Sequence, residues 1–208
     1  MSLDFIYLAS GSPRRRELLQ QIGVPFRVVA TAVDEAVQPG EVPAAYVERL
    51  AAAKADAGWA KVDAERTRSR DEADVPVLAA DTAVVLDGEV LGKPADRQNA
   101  ERMLRRLSGR THEVFTAIAL LTVGGLESRI SRSEVTFRNL ATEEIQDYWE
   151  TGEPADKAGA YAIQGRAAVF IADLRGSYSG VMGLPLFETA ELLSKAGVWR
   201  WHGRGLSR

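Results

Sequence analysis

The sequence predicts an α/β protein with a mixed, twisted sheet, flanking helices, and two lobes around a cleft. Strand-like and helix-like segments alternate near the N-terminus, which favours parallel strands joined by helices. Further along, the pairs Asp87-Gly88 and Gly124-Gly125 each separate two strand-like runs, and such pairs are typical of hairpins between antiparallel strands. A sheet with both kinds of strand pair is mixed rather than purely parallel.

The first third of the chain is predicted to contain two strands, each followed by a helix. Residues 5–9 and 26–29 are short apolar runs that favour strands. A helix is expected to begin at Pro13, because proline is favoured in the first helical turn, and to end at Gly23. An Ala-rich helix follows the second strand, and residues 61–74 are expected to form a charged connection without regular structure.

Most of the remaining chain is predicted to be regular. Residues 75–86 are almost continuously apolar and predict a buried strand, and residues 167–172 predict another. Asp96 and Thr142 are expected to cap helices, because their side-chain oxygens can accept hydrogen bonds from the first free N–H groups. A last helix is expected between residues 185 and 197.

Composition restricts the classes of chemistry open to this chain. Zero cysteines and two histidines exclude disulfides, thiolate nucleophiles and Cys-rich or His-rich metal sites, so any metal must be bound by oxygen. The 26 Lys and Arg residues against 29 Asp and Glu give a net charge of -3, which argues against general nucleic-acid binding. No apolar run reaches about 18 residues. We therefore expect a cytoplasmic protein without a membrane segment, with one domain over residues 1–197 and a tail over 198–208.

The segment Ser10-Gly11-Ser12-Pro13-Arg14-Arg15-Arg16 lies at the turn from the first strand into the first helix. Backbone N–H groups, hydroxyls and guanidinium groups at such a turn can bind phosphate. The same residues also suit a capped helix with a solvated arginine face. Because successive helical residues point in different directions, at most two of the three arginines are expected to face one ligand.

Asp81 and Thr82 interrupt the apolar run 75–86. A carboxylate there is costly unless it is paired, bound to a metal, or placed at a strand end that faces a cleft. The alternative is an aspartate at a strand edge that bonds the backbone. His112 lies outside any Ser-His-Asp pattern and is expected to be a strand residue with a hydrogen-bonded ring.

Residues 156–165 combine glycines with an aromatic residue and an amide. Such a loop can approach a ligand closely, and Gln164 offers both a donor and an acceptor to the edge of a base. A structural turn with Tyr161 in the core explains the same residues equally well.

Four motifs, taken in chain order, resemble the Maf (septum-formation-inhibitor) family of nucleoside triphosphate pyrophosphatases. The resemblance covers roughly residues 5–193 and is closest to the branch that acts on dTTP and UTP. The motifs are Leu8-Ala9-Ser10-Gly11-Ser12-Pro13-Arg14-Arg15, Ala80-Asp81-Thr82, Gly92-Lys93-Pro94 and Gly159-Ala160-Tyr161-Ala162-Ile163-Gln164-Gly165. Pro13-Arg14 and Thr82 stand where the 7-methylguanosine triphosphate branch has an inserted tryptophan and a glutamine.

The resemblance implies hydrolysis between the α- and β-phosphates, which releases nucleoside monophosphate and pyrophosphate with a divalent cation, Mg²⁺ or Mn²⁺. It implies that Asp81 is the catalytic residue and accepts a proton from water. The positions linked to substrate selection are Arg14, Thr82 and Gln164. The phosphate-binding residues are expected to be Ser10, Ser12, Arg14, Arg15, Lys54 and Lys93. Glu35 and Asp81 are expected to bind the metal, which leaves base and metal ligand as open roles for Asp81.

The predicted partner is a nucleoside triphosphate, with no nucleic acid, no membrane and a possible homodimer. One alternative is the same hydrolysis directed at modified nucleotides. Another is a regulator of septum formation that binds nucleotides without turnover. A carboxylate at Asp81 argues against the regulator, because a sensor needs the phosphate-binding residues but not the base.

Overall fold

The computed structural model describes residues 5–65 and 75–198 and contains one seven-stranded mixed sheet. The strand order is β2-β1-β3-β5-β6-β7, and β4 pairs with β3 beside this path. β1 is parallel to β2 and β3, whereas the other neighbours are antiparallel, which confirms the predicted mixed sheet. The strands are β1 Ile6–Leu8, β2 Phe26–Val28, β3 Val77–Leu86, β4 Glu89–Leu91, β5 Thr111–Thr122, β6 Gly125–Phe137 and β7 Ile171–Arg175.

Helices flank this sheet, as predicted. They are α1 Pro13–Gln21, α2 Pro43–Glu65, α3 Arg97–Leu107, α4 Thr142–Glu150, α5 Tyr178–Met182 and α6 Leu186–Lys195. Three short 3₁₀ helices follow α4, at Glu153–Asp156, Ala158–Ala160 and Arg166–Phe170. Within the described ranges 5–65 and 75–198, no helix is long and apolar enough to cross a membrane.

Two predicted boundaries are wrong. Residues 61–65 continue α2 instead of starting an irregular connection; residues 66–74 and the predicted tail beyond residue 198 lie outside the described residues. Residues 166–170 form a 3₁₀ helix and β7 begins only at Ile171, because a carboxylate from the preceding segment accepts the first N–H groups of that turn.

The predicted cap at Thr142 is also displaced by one residue. Thr142 is the first helical residue of α4, and Ala141 precedes it. The Glu144 carboxylate accepts a hydrogen bond from the Ala141 N–H at 2.9 Å. The start of α4 is therefore capped by a side chain of its own first turn. Asp96, in contrast, caps α3 as predicted, with its carboxylate accepting from the Asn99 N–H at 2.7 Å.

The core divides where β3 becomes polar. Side chains alternate between the two faces of a strand, and on one face Leu78 and Ala80 belong to one buried cluster while Val84 and Leu86 belong to another. Thr82 stands between these two clusters on the same face. The two clusters are the cores of the two lobes, and the cleft crosses the sheet between them.

The opposite face of β3 is covered by α2. Val77, Ala79 and Val85 pack there with small and branched side chains of the helix, including Ala51 and Ala55. The helix approaches closely because residue 58 is glycine. A Cβ added to Gly58 would lie 2.9 Å from both Ala9 Cβ and Val77 Cγ1, closer than carbon atoms pack in proteins.

Gly58→Ala is therefore expected to destabilise the protein. Alanine is favoured over glycine in a helix by about 1 kcal/mol, but overpacking a core costs about 1–3 kcal/mol. Urea unfolding should show a lower free energy of unfolding than the wild type. Ala60→Gly, at an exposed position of the same helix, should lose only the helix-propensity difference. A Gly58→Ala variant more stable than the wild type would contradict the close contact.

Candidate active site

One cleft of about 850 Å³ lies between the two lobes and contacts every residue predicted from the sequence to act in the site. The residues are Ser10, Ser12, Arg14, Arg15, Glu35, Lys54, Asp81, Thr82, Lys93 and Gln164. They are separated by up to about three quarters of the chain, so the fold brings them together and local sequence does not. Their individual roles remain predictions.

The parallel pairing of β1 with β3 builds the end of the cleft at which the sequence predicts phosphate binding, called the phosphate end below. Tyr7 pairs with Val77, so the turn after β1 reaches the middle of β3, where Asp81 lies. α1 begins at that turn and carries Arg14 and Arg15 into the cleft. Arg16 is exposed and does not line the cleft, so two of the three arginines face it, as expected.

Lys54 joins the two carboxylates of the cleft. Its Nζ donates to Asp81 Oδ1 and to Glu35 Oε1, each at 2.6 Å. Lys93 Nζ lies 3.6 Å from the other oxygen of Glu35. Asp81 is only 6% exposed, so its charge is compensated by an ammonium group rather than by water.

The pKa values of the Asp81 and Glu35 carboxyl groups are shifted in opposite directions. Burial raises the pKa of Asp81 above its ordinary value, although Lys54 and Arg15 pull it down. Burial also raises the pKa of Glu35, but hydrogen bonds and charges from Lys54 and Lys93 outweigh it, so its pKa lies below the ordinary value. A raised pKa makes Asp81 the better proton acceptor, and Glu35 is the carboxylate that stays ionised.

The donor atoms near Lys54 suit a cation that prefers oxygen. Carboxylates bind Mg²⁺ or Mn²⁺ through one or two oxygens, and substrate phosphates and water complete the coordination. Among the described residues there is no group of three or more acidic, His or Cys side chains that could bind a metal by itself. Glu35 and Asp81 therefore fit a cation shared with a phosphate ligand, and do not fit a closed protein site.

Arg15 is bound into the wall of the cleft. Its Nε donates to the Gly183 carbonyl at 2.8 Å, Nη1 to Ser10 Oγ at 3.1 Å and Nη2 to Thr82 Oγ1 at 3.2 Å. These bonds join α1, β3 and the end of α5. Arg14 has no such fixed set of partners, and its pKa is lowered by burial against the charge of Asp156.

Thr82 is hydrogen-bonded on both sides. Its Oγ1 lies 2.9 Å from the hydroxyl of Thr116, the residue that faces it on β5, and the Thr116 hydroxyl lies 2.7 Å from the Gly180 carbonyl. A hydroxyl has one proton, and only a donor can satisfy the carbonyl, so Thr116 donates to Gly180 and accepts from Thr82. Thr82 thus connects Arg15 of α1 with Thr116 of β5, and its predicted part in substrate selection stays a prediction.

The loop with Gln164 is both a ligand-facing loop and a structural turn, the two interpretations that the sequence left open. Gln164 is exposed and lines the cleft, whereas Tyr161 is 5% exposed and lies in the core. The Tyr161 hydroxyl lies 2.8 Å from Nε2 of His112, whose ring is 1% exposed. The other ring nitrogen, Nδ1, is buried and has no hydrogen-bond partner among the described residues, so within these residues the ring of His112 is only half hydrogen-bonded.

Sequence reasoning missed four residues of this site: Tyr46, Thr116, Gly180 and Gly183. Gly180 and Gly183 act through backbone carbonyls, which no residue type reveals. Tyr46 lines the cleft and donates to the Glu35 carbonyl at 3.0 Å. Thr116 could have been identified from the sequence, because it is a polar residue inside an apolar strand, as Asp81 and Thr82 are.

Fold and site together define an α/β protein whose cleft brings basic side chains around a buried carboxylate. The chain belongs to the Maf-like protein family, because the model of that family matches residues 5–196.

Several curated relatives of this chain share the same name. A dTTP/UTP pyrophosphatase from Pseudoalteromonas atlantica is 51% identical over 93% of this chain and 97% of its own length. Proteins of the same name from Aromatoleum aromaticum and Nitrosospira multiformis are each 54% identical, over 92% and 93% of this chain, and over 95% of their own lengths. Among solved structures, the Staphylococcus aureus Ham1 protein aligns with 66% of this chain and 72% of its own, at 18% identity and a TM-score of 0.41, a level that says nothing about function.

The buried ring behind the Gln164 loop predicts how stability depends on pH. Burial lowers the pKa of His112 from 6.5 to about 4, so between these values the unfolded chain binds a proton that the folded protein does not. The contribution of this ring to stability is fully present well above pH 6.5 and is lost as the pH falls from 6.5 towards about 4. Tyr161, whose pKa burial raises, stays neutral throughout.

We expect the free energy of unfolding to fall from pH 7 to pH 5 by about 2 kcal/mol more in the wild type than in His112→Gln, which has no titrating ring. Urea unfolding at the two pH values measures both losses. Equal losses in the two proteins would show that the ring does not titrate in this way.

Proposed function

We propose that this protein hydrolyses nucleoside triphosphates, preferably dTTP and UTP, to nucleoside monophosphate and pyrophosphate. The observation that supports this most directly is the buried carboxylate of Asp81 in a cleft that also holds five cationic side chains. The names of the curated relatives agree with it. The cationic residues are Arg14, Arg15, Lys54, Lys93 and Lys157.

The cationic side chains bind the phosphates and offset their negative charge. An incoming water oxygen is repelled by a triphosphate, and fixed positive groups reduce that barrier without reorganisation during the reaction. Arg15 suits this role because three protein acceptors hold its guanidinium in place. Ser10 and Ser12, at the start of α1, add hydroxyl and N–H donors to the phosphate end.

Asp81 acts as the general base. It accepts a proton from water, the water oxygen attacks the α-phosphorus, and the bond from that phosphorus to the bridging oxygen breaks. Pyrophosphate leaves with the electron pair of that bond. A buried carboxylate with a raised pKa is suited to accept the proton, and Lys54 keeps it ionised beforehand.

A divalent cation, Mg²⁺ or Mn²⁺, belongs to this proposal. Glu35 would bind it together with phosphate oxygens of the substrate, because Asp81 cannot be a tight metal ligand and the free base at the same time. When bound, such an ion neutralises phosphate charge and favours departure of pyrophosphate. Glu35, whose pKa is lowered, keeps its negative charge for this role.

Gln164 reads the base. Uracil and thymine present a carbonyl at position 4 and an N–H at position 3, and cytosine presents the reverse pattern. An amide fixed in one orientation matches one pattern and opposes the other. A nucleotide-binding regulator without turnover would need the basic residues but not a buried base at Asp81. A cytoplasmic location and a homodimer remain part of the proposal.

The experiment that tests this function is product analysis with a panel of triphosphates. UTP and dTTP should give monophosphate and pyrophosphate, and only in the presence of Mg²⁺ or Mn²⁺. CTP should be a poor substrate, because each unpaired buried group costs about 1–3 kcal/mol. UTP and dTTP should differ little, since a methyl group adds only about 1 kcal/mol. Diphosphate and orthophosphate as first products, or equal kcat/KM for CTP and UTP, would contradict the proposal.

Asp81→Asn should lower kcat by about 10²- to 10⁴-fold, because the amide cannot accept the proton from water. Binding of UTP, measured by calorimetry, should persist, since the basic residues are unchanged. The matched control is Asp87→Asn, which changes an exposed aspartate paired with Arg110 outside the cleft and should keep full activity. Near-normal turnover of Asp81→Asn with saturating metal and substrate would remove Asp81 from the role of base.

A further inference from the structure

A hydrogen-bonded pair, the half-buried Glu153 and the buried Tyr148, supports the loop that carries Gln164 from behind. Glu153 accepts from the Tyr148 hydroxyl at 2.6 Å, from the Arg166 N–H at 3.0 Å and from the Ala167 N–H at 3.4 Å. The Tyr148 hydroxyl in turn accepts from the Ala162 N–H at 3.2 Å. Together the two side chains hold three backbone N–H groups of the loop.

These three N–H groups lie on both sides of Gln164 in the chain. Ala162 precedes it by two residues, and Arg166 follows it by two. A tight turn closes the interval, because the Gly165 N–H donates to the Ala162 carbonyl at 3.0 Å. Gln164 therefore stands at the tip of a short turn whose two flanks are attached to one carboxylate and one phenol.

Gly165 makes this arrangement possible. A Cβ added there would lie 2.3 Å from both carboxylate oxygens of Glu153. The backbone at Gly165 has a φ of -100°, which other residues can adopt. A larger residue at this position would thus force the loop and the carboxylate apart, so glycine supplies space here rather than backbone freedom.

Tyr148 and Glu153 are held in one conformation and one ionisation state. Tyr148 is 4% exposed, and its ring packs edge-on against Phe170 with centroids 5.2 Å apart. Burial raises the pKa of Glu153, but its hydrogen bonds from Tyr148, Arg166 and Ala167 outweigh burial, so the carboxylate is ionised at neutral pH. Hydrogen bonds to an ionised acceptor are among the strongest in proteins.

We propose that Glu153 and Tyr148 are positioning residues that fix the backbone on both sides of Gln164 and thereby set the preference of the site for uracil and thymine over cytosine. The inference rests on the proposed function, in which Gln164 reads the base. The hydrogen bonds of the pair reach backbone N–H groups, so they fix the place from which the Gln164 side chain extends towards the base. A loop that could shift would let the amide adapt to either pattern of donors and acceptors, whereas a loop held in one place favours one pattern.

Glu153→Gln tests this directly. Glutamine has one oxygen where glutamate has two, so in either orientation its NH₂ group faces a backbone N–H, that of Arg166 or that of Ala167. We expect the ratio of kcat/KM for UTP to that for CTP to fall by about threefold to tenfold, the usual effect of one or two lost hydrogen bonds. The kcat for UTP at saturation should change less than this ratio, because Asp81 and the basic residues are untouched.

Two further variants act on the same contact by different means. Tyr148→Phe keeps the ring packing and removes only the hydroxyl, and Gly165→Ala pushes the loop away from the carboxylate. Both should lower the UTP to CTP ratio. Because they act on one contact, Gly165→Ala should add little in a Glu153→Gln background. Glu150→Gln, an exposed carboxylate at the end of α4 that pairs with Arg97, is the matched control and should leave the ratio unchanged.

Thermal unfolding of each variant is measured beside the kinetic assay to show that the variant is folded. A smaller fraction of folded protein would lower the rates with UTP and CTP equally and would leave their ratio unchanged. An unchanged ratio in folded, active Glu153→Gln and Tyr148→Phe would overturn the positioning role and leave the proposed function standing. No pyrophosphate release by the wild type from any triphosphate, with either metal, would overturn the proposed function itself. A lowered ratio in all three variants with a normal control would support the inference.

Discussion

The position of two polar residues in the middle of β3 governs much of the structure. Asp81 and Thr82 point to opposite faces of a strand that is otherwise apolar and buried. A carboxylate in such a place is tolerated only if other groups compensate its charge. Lys54 from α2 does so on one face, and Arg15 from α1 bonds Thr82 on the other. The elements that complete the core are therefore also those that carry the cationic side chains into the cleft.

The same arrangement gives two carboxylates different chemistry. Lys54 contacts both Asp81 and Glu35 at equal distances, yet their pKa values shift in opposite directions. Asp81 is more deeply buried, whereas Glu35 is also reached by Lys93. Depth of burial and the number of nearby cations, rather than residue type, separate the carboxylate with the raised pKa from the one with the lowered pKa.

The two ends of the cleft are built on different principles. At the phosphate end, charged side chains project from regular elements, and their mutual bonds hold them ready for a polyanion. At the opposite end, Gln164 lies on a loop without regular structure, so rigidity must come from behind. Tyr148 with Glu153, and the ring of His112 beside Tyr161, supply it from the side away from the cleft. Support of this kind is what the proposed reading of a base by this loop requires.

By itself the sequence determined the mixed sheet, most helices, the family and the residues of the cleft. Alternation, Gly-containing turns and four ordered motifs carry that information locally, as does a carboxylate in an apolar run. The start of β7 and the cap of α4 were mispredicted, because Glu153 and Glu144 override local propensity through contacts that no short window contains. The bridge by Lys54, the carbonyls of Gly180 and Gly183, and the opposite pKa shifts of Asp81 and Glu35 were decided only by the tertiary structure. Burial and distance between residues far apart in the chain exist only once the chain is folded.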